Sequence, residues 1–146
     1  MPADRSNRIL ASSFARRVRR TEGGTMSVKV FLADETDLMR RALRLFLRHR
    51  KDIKVVGEAS SLPETIEKTT ELHPDVVVLD LGMPDKNHVP PAEVRALLNH
   101  TKIIAIAFGI DGLAAELAES LGAAKLLDEM ELARELVPTI LALAPS

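Results

Sequence analysis

The stretch Asp75-Val-Val-Val-Leu-Asp80-Leu-Gly-Met-Pro84 decides the fold. Four consecutive apolar residues, three of them β-branched, make too short a run for a helix and read as a strand buried on both faces. Such a strand belongs to a parallel sheet with helices packed on either side. The run ends on a carboxylate, and Gly82 and Pro84 follow as turn residues. The carboxyl end of a parallel strand is where open α/β sheets bind their ligands, so Asp80 is a candidate site residue.

Four more runs of the same kind occur, Val28 to Ala33, Ile53 to Ala59, Ile103 to Ala107 and Lys125 to Leu127, alongside Val76 to Leu79 itself. Longer segments with helical spacing separate them, giving five strand and helix pairs. Leu38, Ala42, Leu45, Phe46 and His49 recur as one stripe of a first helix and are expected to face the core. Ser61, Pro63 and Glu64 form a capping box at the start of a second helix over 62–72. Pro91 to Asn99 gives a third helix, and Asp111 to Leu121 a fourth that stops at Gly122. The last runs from about Glu131, buries Leu132, Leu136, Ile140 and Leu143, and is expected to kink at Pro138.

A doubly wound sheet of this kind places its first and third strands side by side. Asp34 and Glu35 close the first strand as Asp80 closes the third, so three carboxylates are expected at one edge. Crowded carboxylates raise one another's pKa unless a cation compensates them. A hard divalent ion such as Mg2+, which uses one or two carboxylates and keeps several waters, would do so.

Composition narrows the function classes. The 146 residues are 46% hydrophobic and 28% charged, and no apolar run approaches the roughly 18 residues needed to cross a bilayer. The absence of cysteine excludes disulfides, thiolate metal sites and cysteine nucleophiles, in keeping with a cytoplasmic protein. Aromatic residues are 3% of the chain, with no Trp or Tyr, and no helix-turn-helix pattern occurs, so direct nucleic-acid recognition is not expected. The histidines His49, His73, His88 and His100 are not expected to cluster; His88, in the loop after Asp80, is the one placed to approach a metal there. An aspartate-nucleophile phosphatase of the haloacid dehalogenase type would want a second aspartate two residues after Asp80, where Gly82 stands.

Net charge is −1, but residues 1–25 carry six arginines against Asp4 and Glu22, which leaves −5 on the remainder. That leader is expected to be a disordered basic extension, or the product of a start assigned upstream of Met26, with residues 26–146 forming one domain. The final helix nearly reaches Ser146, so no second domain is expected.

Three segments, Val28-Lys-Val-Phe-Leu-Ala-Asp34-Glu35, Asp75-Val-Val-Val-Leu-Asp80-Leu-Gly-Met-Pro84 and Leu121-Gly122-Ala123, carry a family resemblance. Residues 28 to 143 resemble a CheY-like response-regulator receiver domain of two-component signalling, of the subclass usually joined to a helix-turn-helix output module. The resemblance implies a flavodoxin-like (βα)5 sandwich with strand order 2-1-3-4-5. It implies that Asp80 accepts a phosphoryl group from a histidine kinase or phosphotransfer protein. It also implies that Glu35, Asp80 and the Gly82 carbonyl hold Mg2+, with Asp34 reaching it through water. The surface of the fourth helix, fifth strand and fifth helix would contact a protein partner or a second copy. Such a chain is expected to be a stand-alone signalling module in a phosphorelay and not a turnover enzyme.

The sequence departs from that pattern at the other two strand ends. Receivers place Ser or Thr at the end of the fourth strand, where Ala107 stands here, and a lysine after the fifth, where Glu129 stands. Lys125 lies four residues earlier, and Leu126 replaces the aromatic that usually reports the switch. Phosphorylation is therefore expected to couple poorly to shape. The alternative expectation is a degenerate pseudo-receiver that dimerises or binds partners independently of phosphorylation.

Overall fold

The computed structural model describes residues 27–83 and 88–145. The basic leader of residues 1–25 and the turn residue Pro84 lie outside the described residues. In chain order the elements are β1 (Val28–Ala33), α1 (Asp37–Leu47), β2 (Ile53–Ala59), α2 (Leu62–Leu72), β3 (Val76–Asp80), α3 (Pro91–Leu97), β4 (Lys102–Ala107), α4 (Gly112–Ser120), β5 (Lys125–Asp128) and α5 (Leu132–Ala142), with a 3-10 turn at Glu129–Glu131 before the last helix. The strands form one parallel sheet in the order β2-β1-β3-β4-β5. This is the flavodoxin-like receiver architecture expected from the sequence.

Burial on both faces explains why the strands read as continuous apolar runs. One core lies between the sheet and helices α1 and α5, and contains Val30, Leu32, Val78, Ile104, Leu136 and Ile140. The other lies under α2, α3 and α4, and contains Phe31, Val77, Leu79, Val94, Ala105 and Leu121. Residues that alternate along β1 and β3 feed opposite cores, as the pleat requires. Each fully buried Leu, Ile, Val or Phe contributes about 1.5–3 kcal/mol relative to exposure.

The caps follow the sequence signals. The Glu64 amide donates to Ser61 Oγ at 3.3 Å, while the Glu64 carboxylate accepts from the Ser60 amide, so the reciprocal half of the box reaches one residue before the cap. Asp111 accepts from the Ala114 amide at 2.8 Å and starts α4. Gly122 adopts φ +75° just past its end, a left-handed conformation that glycine takes without steric cost. The α5 helix continues through Pro138.

The first helix corrects a sequence expectation. Its buried residues are Arg40, Leu43 and Leu47, whereas Leu38 is 80% exposed and Ala42, Leu45, Phe46 and His49 all face solvent. The apolar stripe was legible but its phase was misleading, because Arg40 takes a core-facing position that an apolar pattern assigns elsewhere. The arginine goes inward to meet carboxylates, forming ion pairs with Asp37 and Glu58.

Candidate functional site

The carboxyl edge of the sheet assembles the site. Ala33 pairs with Leu79 across β1 and β3, so the next residues, Asp34 and Asp80, stand on neighbouring strand tips, about 5 Å apart in strand spacing. Asp80 is itself the last residue of β3 and is half-buried, while Glu35 is exposed. Each aspartate uses one oxygen on its own turn. Asp34 Oδ1 accepts from the Thr36 amide at 2.9 Å and the Thr36 hydroxyl at 3.0 Å, and Thr36 in turn caps α1. Asp80 Oδ1 accepts from the Gly82 amide at 3.0 Å. Among the described residues, no hydrogen bond occupies Oδ2 of either aspartate.

Electrostatics joins these acids into one site. Burial of the carboxylate pushes the Asp80 pKa above the usual carboxylate value, the Gly82 amide opposes that shift, and the negative charges of Asp34, Glu35 and Glu129 add to it. Glu129 reaches this group from the turn after β5, where a receiver carries lysine. Ala107 ends β4 opposite Asp128, one residue beyond the Ile106 that pairs with Asp80, and offers no hydroxyl.

No three Asp, Glu, His or Cys side chains among the described residues stand close enough to form a closed cage for a metal. The donor set nevertheless suits Mg2+: two adjacent carboxylates retain an oxygen each, a third acid is within electrostatic reach, and burial together with the neighbouring negative charges raises the Asp80 pKa.

Sequence reasoning missed Arg40. Its guanidinium bonds Glu58 on β2 at 2.8 Å and Asp37 on its own helix, and also donates to the Asp34 backbone carbonyl. Three anchors on one planar fork fix the β1–α1 turn that presents Asp34 and Glu35. Nothing in the sequence separates it from Arg41, Arg44 and Arg48 of the same segment; the one signal was its place four residues after Thr36, on the stripe of Leu43 and Leu47. The histidines also require correction: His73 and His100 do come together, in an edge-to-face contact with ring centroids 6.2 Å apart. His73 follows α2 and His100 precedes β4, so the pair sits near the opposite, amino end of the sheet. His88 is exposed with φ 56°.

Residues 30–138 match the response regulator receiver domain family. The chain belongs to that family. A protein-glutamate methylesterase/protein-glutamine glutaminase of Methanococcoides burtonii is 38% identical over 81 residues, which are 56% of this chain and 22% of that protein. The receiver thus spans less than a quarter of that relative's length. Among solved structures, the signal receiver domain of the response regulator NarL from Mycobacterium tuberculosis superimposes with a TM-score of 0.70 at 27% identity, covering 80% of this chain and 94% of the other. The response regulator domain of Thermotoga maritima CheB gives 0.68 at 25% identity, covering 80% and 96%. Phosphorylation and magnesium binding are typical of the family, and the receivers of such regulators communicate with histidine kinases or phosphotransfer proteins. No helix among the described residues is long and apolar enough to cross a membrane.

Proposed function

We propose that this receiver accepts a phosphoryl group on Asp80 and passes on its signal through protein contact. The observation that carries the reading is the in-register pairing that sets Asp34 beside Asp80, with the charge of Glu35 felt at the same carboxylate. Asp80 Oδ2 is the attacking atom in this reading. It forms the new oxygen–phosphorus bond as the bond from phosphorus to the donor imidazole nitrogen breaks, and the imidazole leaves with that electron pair. The Gly82 amide holds Oδ1 and so orients Oδ2 toward the donor. Glu35, Asp80 and the Gly82 carbonyl, with Asp34 through water, would hold Mg2+, which would offset charge on the transferring group.

Output is assigned to the face made by α4, β5 and α5. Leu113 on α4 and Met130 before α5 are each 77% exposed there, which favours a protein partner or a second copy over a nucleic acid. Incubation with acetyl phosphate and magnesium, followed by intact mass, tests the chemistry: one added phosphoryl group, absent in Asp80→Asn, is expected. Failure to modify the chain under conditions that saturate a typical receiver overturns it.

Ala107 and Glu129 favour a second reading, in which the domain binds partners without phosphorylation. Amide exchange across residues 108–112 separates the two. Slowed exchange on phosphorylation supports a coupled switch, and unchanged exchange supports the uncoupled module.

A further inference from the structure

An apolar patch borders the acidic site on its β4 and β5 side. Phe108 is 80% exposed, Ile110 50%, and Leu113 and Met130 each 77%. These residues belong to one surface, because the Gly109 amide and the Met130 amide both donate to Asp128 Oδ1, at 3.4 and 3.0 Å. That shared acceptor ties the loop after β4 to the turn after β5. Glu129 lies next to Met130 in that turn, and its charge reaches Asp80. The patch is therefore apolar beside acidic, and the lysine that would balance the acids in other receivers is missing.

The same chain carries the complementary sequence. Residues 8–20 contain five arginines and no acid, and among them Leu10, Phe14 and Val18 recur at every fourth position, a spacing that gives one apolar face in a helix. We propose that this amino-terminal segment docks on the patch of its own chain, setting Leu10, Phe14 and Val18 against Phe108, Leu113 and Met130 and its arginines against the acids of the strand tips, so that a partner of the output face competes with it for Leu113 and Met130.

Reach permits it. Ser27 is held at the amino edge of the sheet, where its hydroxyl donates to the Lys51 carbonyl at 3.0 Å. The acids lie at the far edge, about 20 Å away along the six residues of β1, and the patch lies two to three strands aside, a further offset of about 10–15 Å. The nine residue steps from Val18 to Ser27 span about 30 Å when extended, more than the roughly 25 Å between Ser27 and the patch, so the apolar face arrives there with Arg16 and Arg17 beside the acids. Charge complementarity supplies the direction: the segment is positive and the remaining chain is −5.

The chain has no native cysteine, so a nitroxide on Ser12→Cys in the full chain is the only label. Amides of residues 109–113 and 129–130 are expected to broaden, whether or not Asp80 is phosphorylated. The broadening is expected to be lost in Phe108→Ser/Leu113→Ser, whose exposed sites tolerate the change, and in Arg16→Glu/Arg17→Glu. It is also expected to weaken at about 1 M salt, where the Debye length falls to about 3 Å. Broadening confined to the amino edge of the sheet overturns the proposal. So does broadening that appears when labelled and isotopically enriched molecules are mixed as separate chains, because the patch would then belong to a second copy.

Discussion

The β1 and β3 tips and the β4 and β5 tips face the same site but have diverged. On one side, Asp34, Glu35 and Asp80 supply the acids that a receiver uses. On the other, Ala107 stands where a hydroxyl would be expected and Glu129 where a cation would be. In the proposed reading the first pair of strands makes the chemistry and the second reads it out. On that reading the difference teaches that the two can part: a chain can keep a nucleophile while losing the groups that grip the phosphoryl oxygens.

The largest expected effect breaks the comparison at its centre. Asp80→Asn removes the carboxylate nucleophile, so covalent phosphorylation should fall to nothing in intact-mass measurements while the fold persists. If the first pair of strands is as intact as its register implies, modification of the wild-type chain should proceed with magnesium and stop when the metal is chelated.

Next in size is the support of the acid pair. Arg40→Ala removes a guanidinium held by Glu58, Asp37 and the Asp34 carbonyl. Chemical denaturation should show a loss of about 2 kcal/mol, the scale for breaking charged hydrogen bonds at a partly buried site, with Arg44 still paired to Glu58. Arg40→Lys should recover only part of it, because one ammonium cannot reach three acceptors in a fork.

These two residues also mark what the sequence could and could not disclose. The place of Asp80 at the tip of β3 was legible because a short β-branched run ends on it, although a single acid there also serves as a turn cap. The meeting of Asp34 with Asp80 follows from the doubly wound topology, which sets β1 beside β3, while the full strand order came from the family resemblance. The inward face of α1 was not legible, since hydrophobic periodicity is blind to an arginine that enters the core to meet carboxylates from its own helix and β2 and the backbone carbonyl of Asp34. Leu38 and Phe46 therefore looked buried and are exposed. The approach of His73 to His100 was hidden for a similar reason: 27 positions separate them, and only the packing of α2 and α3 on one face brings their ends together.

Magnesium sharpens the comparison through stability. If it binds the native acids and not the unfolded chain, each tenfold rise of free Mg2+ above its dissociation constant should add about 1.4 kcal/mol to unfolding. Glu35→Gln should blunt that dependence and Ala107→Thr should leave it intact, because only the former alters a carboxylate proposed for the metal. Equal loss in both would mean that the two halves of the site are not separable.

The smallest effect tests whether Glu129 belongs to the site at all. Burial and three neighbouring acids hold the Asp80 pKa above its usual value. A raised carboxyl pKa means that the native state binds the proton more tightly than the unfolded state does. Its stabilising contribution is present below the ordinary carboxylate pKa and is lost as pH rises through the folded value. Without metal, Asp80→Asn should therefore unfold at a higher temperature than wild type near neutral pH, and the gap should close on acidification through the carboxylate range. Glu129→Lys removes one of the repelling charges and puts an attracting one in its place. Asp80 should then titrate lower, by NMR of its side-chain carboxyl carbon, and the neutral-pH penalty should shrink by about 1 kcal/mol or less, since the turn is only partly shielded from water. An unchanged Asp80 titration in Glu129→Lys would show that the β5 tip does not share the electrostatics of the β1 and β3 tips, and the two regions would have to be treated as separate surfaces.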